Sequence, residues 1–387
     1  MTEYKFLQPY TFKNGAKIKN RVVIPPMTEQ SSLEDGTVSR DELYYMGMRS
    51  GGVGMFISPV AFVTDNGKGF EGELSAAHDH FIPSLTKLAD TMKKNGTKAI
   101  LQIFDAGRMS NTAILRGTQP VSASAVAAPR EGYEVPRELS SDEIENIVKD
   151  FGEATRRAIQ AGFDGVEIHG ANTYLIQQFF SPHSNKRTDK WGGDVNKRMT
   201  FGLEVIKSVK AAVDKYANKD FIVGYRISPE EIENPGIRID DTLQFIDKLA
   251  DQPIDYLHIS MGNAWRASLN DSSDTTPTIL RIKEKVNGRL PLISVGSVNT
   301  PADAEKVMDA GIDFVAIGRE YLREPKWIEK VQSGAEDTIR YTINRESLDE
   351  IGLNPALMSF LGLMGQDLGF EGEKNNNDDE AFSTVFK

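Results

Sequence analysis

The sequence contains no cysteine. Disulfides, thiolate-bound zinc, iron–sulfur clusters and cysteine nucleophiles are therefore excluded. No apolar run approaches the roughly 18 residues needed to cross a membrane, so no membrane partner is expected. The start, MTEYKFLQPY, lacks a basic region leading into an apolar one, and no signal peptide is read from it. Basic residues are in deficit: 45 Lys and Arg against 56 Asp and Glu leave a formal charge of −11. Nucleic acid and anionic surfaces call for a basic face, so neither is expected as a partner. What remains is a cytoplasmic protein whose chemistry uses hydroxyls, imidazoles, carboxylates or a bound cofactor.

The composition is that of a soluble globular chain, since 39% hydrophobic and 26% charged residues do not describe a disordered one. At about 150 residues per domain, 387 residues suggest two or three domains. A single (β/α)8 barrel of about 250 residues with decorations fits equally well. Short continuous apolar runs decide between them. They are Val22 to Ile24, Val53 to Ile57, Ala99 to Ile103, Gly165 to Ile168, Phe221 to Tyr225, Tyr256 to Ile259, Leu290 to Val295 and Phe314 to Ile317. Their lack of alternation fits parallel strands covered on both faces.

Helical patterns lie between most of these runs. Ile82, Leu85, Leu88 and Met92 share a face; so do Leu203, Ile206, Val209 and Val213; and Leu243, Ile246 and Leu249 form a shorter one. Ser140 with Glu143 reads as a capping box ahead of Ile144, Ile147 and Phe151. Thr300-Pro301 reads as an N-cap with proline at the first helical position. Pro325, Trp327, Ile328 and Val331 follow the last strand. Eight strands alternating with helices predict an α/β fold, a (β/α)8 TIM barrel. The alternative, a doubly wound sheet, normally carries a glycine fingerprint after its first strand; here Pro25-Pro26-Met27-Thr28 stands there. Residues 104–139 read as a long loop excursion after strand three. The barrel is assigned to 1–365, and 366–387 to a polar C-terminal tail whose Phe382 and Phe386 could dock back.

In such a barrel, function sits where strands end. The strand ends deliver Pro26, Met27 and Thr28; Ser58, Pro59 and Val60; Gln102 and Asp105 to Arg108; Glu167, His169, Asn172 and Tyr174; Arg226; His258 and Ser260; Gly296 and Ser297; Gly318 and Arg319. The last two strands thus end in glycine followed by Ser297 or Arg319. Backbone amides approach closely at glycine and arginine adds charge, which makes a phosphate site. His169, Asn172 and Tyr174 add hydrogen-bond donors and a phenol. Each also has a plainer reading. Gln102 could be a satisfied polar group, Arg226 an ion-pair partner of Glu167 or Glu231, and His169 to Tyr174 a capping network. His78-Asp79-His80 reads as surface imidazoles without further ligands, so no metal is assigned, and His183 receives no role.

These residues resemble the Old Yellow Enzyme family of FMN-dependent ene-reductases, in its bacterial NADH-dependent flavin oxidoreductase branch. The resemblance runs from Asn20-Arg21 to about Trp327. Its most specific segment is GVEIHGANTYLIQQFFSPHSNKRTDKWGG, residues 165–193. Pro26-Met27, Leu101-Gln102 with Ala106-Gly107-Arg108, and Gly318-Arg319-Glu320 support it. The resemblance implies FMN as cofactor and NADH or NADPH as reductant. It places Pro26, Met27 and Thr28 on the isoalloxazine ring, Gln102 at its pyrimidine part and Arg226 at the N1/O2 side. Gly296, Ser297, Gly318 and Arg319 hold the phosphate, and Val60 joins the cofactor-binding set. His169 and Asn172 bind the substrate's carbonyl or nitro oxygen, and Tyr174 donates the proton.

The implied activity is reduction of activated C=C bonds in small molecules such as enones and nitroalkenes. Two other readings stand beside it: a flavin reductase that feeds a partner or demethylates a specialised metabolite, and a flavin-binding stress-response module with little turnover. A homo-oligomer is left open. Thr28 stands where one branch of the family has a cysteine, Asn172 where some members have a second histidine, and Asp105 where many have histidine.

Overall fold

The computed structural model describes residues 3–364 and 368–372. Eight parallel strands form a ring: β1 (Val22–Ile24), β2 (Met55–Phe62), β3 (Lys98–Phe104), β4 (Gly165–Gly170), β5 (Ile222–Ile227), β6 (Tyr256–Ile259), β7 (Leu292–Val295) and β8 (Phe314–Ala316). Pairing of β1 with both β8 and β2 closes it. Each strand lies on one of the apolar runs, as two-sided burial requires. β2 outruns its prediction the furthest, continuing to Phe62 through Pro59. Ile57 faces Ile100 but Val60 faces Gln102, so β2 carries one extra residue there. That β-bulge absorbs a proline with no N–H to give. The Ser58 hydroxyl accepts the Gln102 N–H instead, at 3.1 Å.

The helices are α1 (Arg40–Arg49), α2 (Ile82–Met92), α3 (Ser141–Gln160), α4 (Leu175–Phe180), α5 (Val195–Tyr216), α6 (Ile239–Leu249), α7 (Thr278–Val286), α8 (Pro301–Asp309), α9 (Arg319–Arg323), α10 (Trp327–Ser333) and α11 (Pro355–Leu363). The predicted capping box forms at Ser140–Glu143, and the predicted Thr300 N-cap is part of a second one with Asp303. The periodicity search does not read α1, whose buried side includes Glu42 and Arg49 beside Tyr45 and Met46. Arg49 bonds the backbone oxygens of Tyr321, Leu322 and Ile351, fastening the C-terminal extension to the barrel.

An unpredicted hairpin, Tyr10–Thr11 with Lys17–Ile18, closes the N-terminal end of the barrel. Its Phe12, Ala16 and Ile18 join the inward-facing Val23, Met55, Ile100, Ile222, Ile293 and Phe314 in one core. Asn14 Nδ2 donates to Phe221 O at the foot of β5, at 3.0 Å. With that end filled, the C-terminal end is left for chemistry. The excursion after β3 is pinned beside that mouth by Arg187, which donates to Ala123 O and Leu139 O. Of the stretch assigned to the tail, 373–387, with Phe382 and Phe386, lies outside the described residues. Leu368 is buried, and Phe370 pairs with Ile343 under the Arg345 guanidinium.

Candidate active site

Strand register stacks the polar groups in two levels. Gln102 pairs with Glu167 across β3 and β4; above them His169, Arg226 and His258 align across β4, β5 and β6. Glu167 is fully buried, and its two oxygens take Gln102 Nε2 at 2.7 Å and His258 Nδ1 at 3.0 Å. Burial alone would push its carboxyl up, but His258 and the Arg226 charge outweigh burial and hold it below its usual range. Burial lowers His258, and the facing Glu167 works against that shift. Of the two partners considered for Arg226, Glu167 is the charge that faces it. Glu231 is engaged by Gln177 and Ser181 instead.

Above this floor stand the substrate-facing candidates. Burial, then the Arg226 and His258 charges, push the His169 pKa well below its usual value, so the ring is neutral. Its centroid lies 5.2 Å from that of Tyr174, and Tyr174 meets Phe104 edge-on at 4.8 Å. Burial raises the Tyr174 phenol, and the nearby Glu73 carboxylate raises it further. Asn172 and Thr173 both have positive φ, 57° and 69°. The structure thus sets the Tyr174 ring beside His169, with Asn172 in the turn between them.

The segment after β4 owes much of its pattern to scaffolding. Gln178 Oε1 accepts from Arg108 N at 3.0 Å and Ser122 Oγ at 2.8 Å, while Nε2 donates to Ala106 O and Thr173 O. One amide so wires α4 to the excursion. Gly107, at φ +55°, has room for no side chain, because a Cβ would meet Gln178 Oε1. Sequence reasoning missed Gln178, Ser228 and Glu73. Ser228 follows a strand that the reading credited with Arg226 alone, and Glu73 belongs to a loop with no periodicity.

The remaining candidates ring the mouth. At Gly296, φ is +118°, and a Cβ would sit 2.6 Å from Asn263 N and Met261 O. Ser297 is also left-handed, at φ 49°, and its hydroxyl donates to Gly262 O at 3.1 Å. Gly318 leaves the end of β8 against the loop after β1, where a Cβ would lie 3.3 Å from Met27 Sδ. Pro26, Met27, Thr28 and Arg319 are all half-buried there. Val60 sits in a small apolar cluster with Phe62, Phe104 and Ala106, against Tyr174. Away from the mouth, His78 bonds Asp65, and Asp79 takes Arg156 and Arg157. His183 accepts from Arg108.

This donor set fits a planar, phosphorylated cofactor. Arg226 is a buried cation whose Nε has no partner among the described residues, and His258 Nε2 is likewise bare. Gln102 gives one N–H of its amide to Glu167, which leaves its oxygen and its second N–H to offer a ring. At Gly296 the glycine is required by the loop after β6, whose backbone fills the space a Cβ would take.

A family model described as the NADH:flavin oxidoreductase / NADH oxidase family matches residues 5–338. The chain is 49% identical over 322 residues to the NADH:acrylate oxidoreductase of Vibrio harveyi, covering 82% of this chain and 32% of that protein. It therefore spans about a third of the length of that relative. It is 45% identical over 342 residues to YqiG, a probable NADH-dependent flavin oxidoreductase of Bacillus subtilis (strain 168), covering 88% of this chain and 91% of that one. The solved old yellow enzyme homologue from Zymomonas mobilis matches with a TM-score of 0.74 at 25% identity, over 86% of this chain and 93% of that one. By sequence and by fold, the chain belongs to the NADH:flavin oxidoreductase / NADH oxidase family, the family of the Old Yellow Enzyme.

Proposed function

We propose that the chain is an FMN-dependent, NAD(P)H-oxidising enzyme that reduces activated C=C bonds. The observation that carries this is the buried His169 imidazole, level with the buried Arg226 guanidinium and with its ring centroid 5.2 Å from that of Tyr174. FMN would be held by Gly296, Ser297, Gly318 and Arg319 at its phosphate. Pro26, Met27, Thr28, Val60, Gln102 and Arg226 would hold its ring. When bound, FMN would supply two-electron chemistry, the transfer of a hydride between NADH or NADPH and an alkene.

The chain's own residues do the rest. An alkene conjugated to a carbonyl or nitro group accepts hydride only if the charge building on its oxygen is held. The His169 N–H and the Asn172 N–H2 are preorganised donors for that oxygen. The Tyr174 phenol, kept protonated by burial, gives its proton to the α-carbon. The Arg226 guanidinium faces the cofactor as a fixed positive charge. A pure binding module has no use for a proton donor in this place. Enones and nitroalkenes are the substrate class, and the acrylate relative adds unsaturated carboxylates as candidates. The setting is cytoplasmic in this reading; no helix among the described residues is long and apolar enough to cross a membrane.

A second reading is favoured by one fact: the relative named for acrylate is about three times as long as the matched region. In that reading, the chain oxidises NADH and hands electrons to another redox unit. Steady-state turnover separates the two. The purified protein, supplied with FMN, should consume NADH in proportion to added 2-cyclohexenone. NADH oxidation by artificial electron acceptors, with no response to enones or nitroalkenes, would favour the second reading.

A further inference from the structure

Asn172 holds a left-handed backbone conformation, which asparagine tolerates better than most residues. Two serines from the next two strands surround it. Ser228 follows β5; its hydroxyl accepts the Asn172 N–H at 3.0 Å and donates to Asn172 Oδ1 at 3.3 Å. Ser260 follows β6; its hydroxyl donates to the same Oδ1 at 2.8 Å. The Ser260 N–H bonds Ile227 O at 2.9 Å, which seats that residue in the β5–β6 ladder.

An amide oxygen has two lone pairs, and both are now taken. The end left to face a ligand is Nδ2 with its two N–H groups. Flipping the amide would turn a lone pair toward the ligand and reverse both contacts: Nδ2 could donate to the two hydroxyls, but both O–H hydrogens would lose the acceptor they now share. Two hydroxyls on adjacent strand ends thus decide which end of this side chain does chemistry.

We propose that Ser228 and Ser260 are positioning residues that lock the Asn172 amide with its N–H groups toward the substrate, so that this subsite accepts only hydrogen-bond acceptor oxygens. This rests on the reading of Asn172 as a substrate-binding donor given above. Carbonyl, nitro and carboxylate oxygens satisfy the subsite. A ligand that places an amide N–H2 there meets donor against donor and is rejected.

The test is a mutant cycle on the FMN-loaded protein with two readouts. One is binding of cyclohexanone, which carries the acceptor oxygen without the alkene, followed by the flavin absorbance change. The other is the rate at which 2-cyclohexenone reoxidises protein reduced by NADH. Removing a donor to a developing oxyanion costs about 10²–10³ in rate at comparable sites. Misorienting this one by Ser228→Ala with Ser260→Ala should slow reoxidation by about tenfold or more. It should also weaken cyclohexanone binding. In an Asn172→Ala background the same two serine changes should have no further effect on either readout, because the coupling runs through the amide. Ser260→Thr, which keeps the hydroxyl, should retain the original behaviour. If the double variant does not fold, Ser260→Ala alone carries the same cycle.

An equal loss in both backgrounds would mean that the serines only support the fold, and would overturn the proposal. So would unchanged cyclohexanone binding in the serine variants. Should 2-cyclohexenone fail to reoxidise the original protein, the proposed function falls; the cyclohexanone cycle still decides the positioning role.

Discussion

In the proposed function Tyr174 is the acid, and nothing around it lets the proton go early. Burial and the Glu73 charge move its phenol above the ordinary value of about 10. Reoxidation by 2-cyclohexenone should therefore show no loss from Tyr174 ionisation below about pH 10. Tyr174→Phe should slow that half-reaction by about a hundredfold, the low end for general acid catalysis, while leaving bleaching by NADH nearly unchanged. Equal slowing of both would make Tyr174 structural. Asp105 gives a second prediction. Burial pushes its carboxyl up to about 6, against the bonds from Thr64 and Gly107. The native chain then keeps a proton that the unfolded chain gives up between about pH 4 and 6. Stability falls across that window relative to Asp105→Asn and is level above it. Denaturation at pH 4.5 and pH 7 should show the variant gaining on the order of 2 kcal/mol at the higher pH. Tyr174, His169 and Asn172 were legible because they crowd one strand end. Ser228 was not, because a serine after a strand is common and its partner lies 56 positions away.

The eight strands were legible as elements because burial on both faces leaves unbroken apolar runs. The capped helices α3 and α8 announced themselves through Ser140 and Thr300. The N-terminal hairpin did not. Its strands are two residues each, too short for any period, and its apolar Phe12 and Ile18 look like ordinary scatter. Yet Phe12 is buried against Phe314, with ring centroids 5.5 Å apart. Phe12→Ala should cost about 3–5 kcal/mol by chemical denaturation, as buried aromatic truncations do. Because the hairpin closes the end opposite the active site, FMN affinity should stay within about twofold while stability falls. A parallel drop in FMN affinity would show that the two ends of the barrel are coupled. The Ser58-Pro59 bulge is an element-scale feature hidden for another reason. A proline argues against an inner strand, and only the neighbouring Ser58 hydroxyl, seen in three dimensions, removes the objection.

At the scale of the molecule, a chain of net charge −11 still buries a cation, Arg226, on a strand of the closed barrel. Global charge therefore predicts little about the cofactor. Binding to the folded state alone also ties the cofactor to stability. FMN at a hundred times its dissociation constant should stabilise the protein by about 2.7 kcal/mol, read as a rise in melting temperature that riboflavin, lacking the phosphate, reproduces only weakly. Equal shifts from both would remove the phosphate site from the account. In the proposed function one pocket passes electrons from a nicotinamide to an alkene, and an anaerobic single-turnover spectrum follows both transfers. The purified, FMN-loaded protein should show flavin absorbance, lose it on addition of one equivalent of NADH, and regain it on addition of 2-cyclohexenone. A colourless protein that takes up no FMN, or a bleached one that neither an enone nor a nitroalkene restores, would contradict the account.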